Sequence, residues 1–225
     1  MTEATMKAGK GLLATGYLLL VLPTIASAGD KPPGECAEAT LRSELLERRD
    51  VDQSARNDLT ASPGSGEVLD KVLEVDADNT KFMRSTLATC GWPKRSMVGE
   101  DAAKAAWLLS QHADMDPQYQ VLAGQHMKQA VLAGEADARQ LASLVDRNRR
   151  LSDQPQVYGM QYFRNPQGVI EFYDIATPAK LDERRQEIGL QPFYCWVQQL
   201  SSSGNGVKLV WPAGVLFAPS ACGTD

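Results

Sequence analysis

The feature that most constrains this chain is the segment Gly99–Ala113, which is apolar almost all the way round. Ala102, Ala103, Ala105, Ala106, Trp107, Leu108 and Leu109 leave only a narrow polar stripe of Glu100, Lys104 and Gln111. A helix with so little polar surface is stable only when packed among other elements, so several helices must surround it. At its end His112 follows Ala105, Leu108 and Leu109 at spacings of seven, four and three, which directs the imidazole to the apolar side. Gly91-Trp92-Pro93 reads as an extended turn leading in. Asp116-Pro117 reads as the N-cap and first residue of the next helix.

The surrounding helices can be placed in order. Cys36 to about Leu59 is helical, with Leu41, Leu45, Leu46 and Ala55 as a sparse apolar side. Ser62–Gly66 is a loop. Asp78 is expected to cap a helix over Asn79–Thr89, with Phe82, Met83 and Leu87 inward and Gly91 as the stop. A helix from Pro117 ends near Ala133 at Gly134, and another covers Asp137–Arg150 with Ala138, Leu141, Ala142 and Val145 on one side. Short connections predict antiparallel neighbours burying Trp107, Leu108, Leu109, Leu122, Leu141 and Val145.

The period then changes. Gln156–Phe163 alternates, Asn165–Gly168 turns the chain, and Val169–Ile175 returns it as a β-hairpin. Thr177-Pro178 opens a further helix closed by Gly189. FYCWVQQL and GVKLVWP, around Ser203–Gly206, form a second hairpin candidate. The expected fold class is therefore α+β, predominantly α: a helical bundle with one or two β-hairpins in the C-terminal part.

Residues 1–28 read as an export signal. Lys7 and Lys10 precede the apolar run Gly11–Leu22, Pro23 interrupts it, and Ala26-Ser27-Ala28 is a cleavage site of A-x-A type. Losing Glu3, Lys7 and Lys10 with that leader takes the net charge from −5 to −6. An acidic chain argues against nucleic acid as a partner. No stable membrane span is expected after cleavage, and the expected location is periplasmic or secreted. All four cysteines lie beyond the leader. An even number in an exported chain predicts two disulfides with three possible connectivities, and Cys195 with Cys222 would staple the tail. The expected organisation is a signal peptide (1–28), a tether (29–35), a helical domain with a hairpin (36–194) and a stapled extension (195–225).

Several short motifs line up along this framework. They are Asp52-Gln53 with Arg56, Asp78-Asn79, Gly91-Trp92-Pro93, Val98-Gly99, Gln111-His112-Ala113-Asp114, Asp146-Arg147, Gln156 with Tyr158-Gly159-x-Gln161, and Arg184-Arg185 before Gly189-Leu190. In this order they resemble a widespread bacterial family known only as a domain of unknown function. Its members commonly read GWP, QHAD, DR, Q-x-YGTQ and RR…GL. The resemblance spans roughly Val51 to Tyr194, with Met160 standing where the family usually has threonine. It implies a bacterial origin and a shared polar site, and it supplies no activity.

The candidate site follows from where each apolar pattern runs out. His112 is the natural acid or base, since the ordinary imidazole pKa lies near neutrality, with Asp114 or Asp146 as the carboxylate beside it. The structural alternative is a core histidine satisfied by its neighbours. Gln111, Arg147, Gln156, Tyr158, Gln161 and Arg185 are the candidate ligand-binding residues, the arginines suiting a small anionic ligand. Gln161 falls on the opposite strand face from Gln156 and Tyr158 unless Gly159 permits a bulge.

No cofactor and no metal site is expected. His112 and His126 should lie roughly 10 Å apart along an antiparallel pair, too far for one ion. HExxH, CxxC, Walker, dinucleotide and nucleophile-elbow motifs are all absent. Two functions of different kinds remain. One is an exported binding or interaction module for an envelope component or another exported protein. The other is a hydrolase-like enzyme using His112, a carboxylate and an arginine.

Overall fold

The computed structural model describes residues 36–202 and 208–222, together with Met1. Met1 apart, the expected leader and tether lie outside the described residues, as does the Ser203–Gly206 turn. Five helices make the first part: α1 (Glu38–Ala61), α2 (Gly66–Cys90), α3 (Arg95–Gln111), α4 (Pro117–Leu132) and α5 (Ala138–Leu151). The hairpin strands β1 (Tyr162–Arg164) and β2 (Ile170–Phe172) follow, then α6 (Leu181–Glu187) and α7 (Phe193–Ser202). The protein is predominantly α with a little β.

α3 is the inner element, as its composition requires. Its small residues Ala102, Ala105 and Ala106 are fully buried and let α1 approach closely, while Leu41 and Leu45 of α1 join Met83 and Leu109 in one core. Leu109 and Leu141 are buried as expected, whereas Trp107, Leu122 and Val145 are half-buried at its margin and Leu108 is half-buried. The alanine face takes the centre, and α4 fills the remaining space with Tyr119, Ala123 and Met127. Asp116 and Asp137 cap α4 and α5, accepting from Tyr119 N and Gln140 N at 2.9 Å each.

Three boundaries differ from the sequence reading. α2 begins at Gly66 rather than Asn79, because Ser65 caps it and Val72, Val75, Asn79 and Met83 continue one buried stripe. Asp78, expected as the cap, is mid-helix and bonds Arg48 instead (2.6 Å). α3 begins one turn early, at Arg95, and bends at Gly99, whose φ of 80° suits glycine. A Cβ there would lie 2.5 Å from Arg42 Nη1, which donates to Val98 O (2.5 Å) and Asp101 Oδ1 (2.5 Å), while Nη2 donates to Asp101 Oδ2 (2.7 Å).

The third difference is in the tail. Residues 193–202 are helical, so the second hairpin does not form. Phe193, Trp196, Val197 and Leu200 fall at helical spacing and pack with Ile175 and Leu181 into a second core, against which Leu209 and Trp211 also rest. In so short an apolar run the alternation with polar residues misleads. The observed hairpin pairs Tyr162 with Phe172 antiparallel, and Leu209 adds a parallel bridge to Ile170.

Both disulfides form. Cys36–Cys90 ties the approach to α1 to the end of α2, and Cys195–Cys222 ties α7 to the tail. Their sequence separations of 54 and 27 correspond to roughly 4 kcal/mol each in the loop-closure account. Among the described residues no helix is long and apolar enough to cross a membrane.

Candidate functional site

Asp52 lies seven residues after Leu45 and three before Ala55, on the buried stripe of α1, and is 0% exposed. A carboxylate set into an apolar stripe must be paired where it lies. His112, at the C-cap of α3, supplies the first partner: its Nδ1 is 2.9 Å from Asp52 Oδ1 and 3.1 Å from Oδ2. Gln53 Nε2 donates to Oδ2 (2.7 Å) and Arg56 Nη1 to Oδ1 (2.8 Å). Arg56 Nη2 then donates to both oxygens of Asp76 on α2, at 2.8 and 2.9 Å. Three helices thus meet through one network, His112–Asp52–Arg56–Asp76.

The two carboxylates are driven in opposite directions. Burial opposes ionisation of Asp52, yet the bonds from His112 and Gln53 and the charges of His112 and Arg56 together hold it below the usual carboxylate range. Burial pushes Asp76 up, and the Arg56 contacts offset this only in part. The His112 side chain remains 15% exposed, so the ring is held by a buried carboxylate while part of it stays accessible.

His112, Asp52 and Asp76 each offer an atom within 4.8 Å of the others, the spacing of a metal-ligand set. Arg56 already bonds both carboxylates and places its positive charge between them. A divalent ion would have to displace that guanidinium, so the donor set does not fit a resident metal as it stands.

The other expected site residues divide among different tasks. Arg147 does reach the α3–α4 turn, donating from Nε to Asp114 Oδ1 (2.9 Å) and from Nη2 to Oδ2. Gln120 Nε2 also donates to Asp114 (3.2 Å). Asp114 is therefore engaged with Arg147, and the carboxylate on His112 is Asp52 rather than Asp114 or Asp146. Gln111 donates to Ser143 Oγ (3.3 Å) and does not hold the imidazole.

Asp146, next to Arg147 and about 100° further round the helix, points elsewhere. Its carboxylate accepts from the amides of Val157 (2.7 Å), Tyr158 (3.0 Å) and Met160 (2.9 Å). Burial raises its pKa against these bonds. Arg185 donates to Tyr158 O (2.5 Å) and Gln191 O (2.9 Å), and burial brings its pKa down to about 10. Gln156 brackets Gln161, donating to its carbonyl (2.9 Å) and accepting from its amide (2.7 Å). The segment 156–161 has almost no ladder of its own, and these side chains satisfy its backbone. His112 and Asp146 thus belong to separate networks, with Gln161 and Arg185 on the side of Asp146.

Gly159 is the bulge-permitting residue, at φ 75°, and a Cβ there would lie 2.7 Å from the Phe193 ring. The close approach it allows is that of α7, not of a ligand.

Sequence reasoning passed over Asp52 and Asp76 as site members. The signal was present in both cases: each carboxylate stands on a stripe of buried residues at helical spacing.

A separate open cavity of about 500 Å³ lies between α4, α5 and the 152–158 segment. Pro117, Val121, Gly124, Val145 and Tyr158 supply its apolar surface.

Fold and site together define a disulfide-tied, mainly helical domain carrying a buried histidine–carboxylate–arginine network. The chain belongs to a family of unknown function, DUF6624, whose sequence pattern matches residues 39–209, a longer span than the short motifs mark. No curated protein and no solved structure matches it.

Proposed function

We propose that this protein is an exported domain performing acid–base chemistry of hydrolase type at His112. The reading rests on one observation above all: a buried, ionised Asp52 grips one nitrogen of an imidazole that is still accessible. Such a carboxylate fixes the ring's orientation and tautomer, which is what a general base requires. Burial raises the pKa of Asp76, and Arg56 holds the two carboxylates in register. Environments that push two carboxylates apart fit them for separate roles. Export, through a leader ending at Ala28 to the periplasm or beyond, is supported by the two disulfides.

The test is turnover of a crude envelope extract by the disulfide-intact protein, followed by mass spectrometry. His112→Gln and Asp52→Asn, each verified as folded by circular dichroism, should lower product formation by roughly 10²–10⁴-fold. An extract changed equally by wild type and His112→Gln rejects the proposal.

The second reading, a binding or interaction module for an envelope component or exported protein, is favoured by the cavity between α4 and α5, whose described lining does not include His112.

A further inference from the structure

We infer that the α4–α5 groove binds a small amphipathic anion: an apolar-bodied molecule carrying one carboxylate-type head. This goes beyond the acid–base reading and does not depend on His112.

The walls of the groove expose more apolar than polar surface, and Val121 on its edge is 49% exposed. Every charged residue in its lining is basic, Lys128 on α4 and Arg149 on α5, although the whole chain carries a net charge of −5. Among the described residues neither cation pairs with a carboxylate. Arg149 uses only its Nε, donating to Pro155 O (2.6 Å). Because α4 and α5 are antiparallel, the two cations stand towards opposite ends, and Asn148 Nδ2 closes the Arg149 end on Pro117 O (3.0 Å). Pro117 to Lys128 is roughly 16 Å at 1.5 Å per residue, room for a short acyl chain.

Gly124 is the independent sign. A glycine inside a helix weakens it relative to alanine. Gly124 is buried and faces Val145 on α5, but the packing there does not forbid a side chain. A Cβ at Gly124 would meet only Val145 Cγ2, at 3.4 Å, an ordinary contact. What the missing side chain provides is open space in the groove.

Heteronuclear NMR titration of the disulfide-intact protein tests this, with octanoate, 1-octanol and octyltrimethylammonium as probes. Octanoate should shift α4 and α5 amides saturably, with a Kd at least tenfold below that of octanol, and the cation should not bind. Gly124→Leu should weaken octanoate at least tenfold by filling the groove. The Lys128→Gln, Arg149→Gln double variant should bind octanoate no better than octanol. Should Gly124→Leu fail to fold, Val121→Glu at the exposed edge puts a negative charge in the same space and should also weaken octanoate. Equal binding of octanoate and octanol, shifts centred elsewhere, no saturable shift, or octanoate binding indifferent to Val121→Glu would each overturn the inference. None of these outcomes bears on turnover at His112.

Discussion

Asp52 and Asp146 are both wholly buried carboxylates, and their surroundings give them different work. Asp146 accepts from three backbone amides of an irregular segment, so it holds the chain in place. Asp52 faces an imidazole, an amide side chain and a guanidinium, so its charge bears directly on a titratable ring. The same contacts make a stability prediction. Replacing Asp52 by Asn removes a charged acceptor from Arg56 and His112 and should cost roughly 2–3 kcal/mol at pH 7. Because the folded-state pKa of Asp52 is lowered, its contribution is fully present above the unfolded value of about 3.9 and is lost as pH falls through the folded value. Urea unfolding of wild type and Asp52→Asn at pH 7 and near pH 3 should therefore show the gap closing in acid. A gap of constant size would mean that the network does not depend on the charge.

At the scale of elements, Gly99 shows how a single backbone position joins α3 to α1. Gly99→Ala forces a side chain into the left-handed region and onto Arg42, which holds both Val98 O and Asp101. Backbone strain of that kind costs about 1–3 kcal/mol, and the displaced guanidinium adds to it. Thermal unfolding should fall for Gly99→Ala and fall much less in an Arg42→Ala background, where the obstacle has gone. Equal losses in both backgrounds would leave only the backbone strain.

What was legible in the sequence follows the same division. Helices with strong caps and a steady stripe, at Asp116-Pro117 and Asp137, stood where their spacing put them. α2 was cut short because an aspartate at position 78 reads locally as a cap, and only its pairing with Arg48 across the α1–α2 interface shows otherwise. α7 is not legible because its ten residues hold too few turns to separate helical from alternating spacing. The site was half legible. His112 stood out by its type and place, and Arg147 did reach the α3–α4 turn, but the partner of His112 came from a helix sixty residues earlier. No local pattern encodes that distance; a charged residue on an apolar stripe was the one available clue.

The described residues form two main cores and a small cluster of Ala55, Val72 and Val75 between α1 and α2. The larger gathers α1–α5, together with Tyr158, Ile188 and Leu190; the smaller gathers Ile175, Leu181, Phe193, Trp196, Val197 and Val215. Met160 packs against both, and Arg185 crosses from Tyr158 O to the faces of Phe193 and Trp196, so the connection is real but narrow. Each disulfide lies at one of these regions, Cys36–Cys90 at the large core and Cys195–Cys222 at the small one. Local opening free energies track buried apolar contact, and the small core has less of it. Replacing Cys195 and Cys222 together by Ser should therefore remove roughly 4 kcal/mol of constraint from the smaller region. Hydrogen exchange should then quicken in β1, β2 and α7, while α1, α3 and α5 keep their protection. If amides of both cores lose protection together in this variant, the two cores unfold as one cooperative unit and the narrow connection is stronger than its contacts suggest.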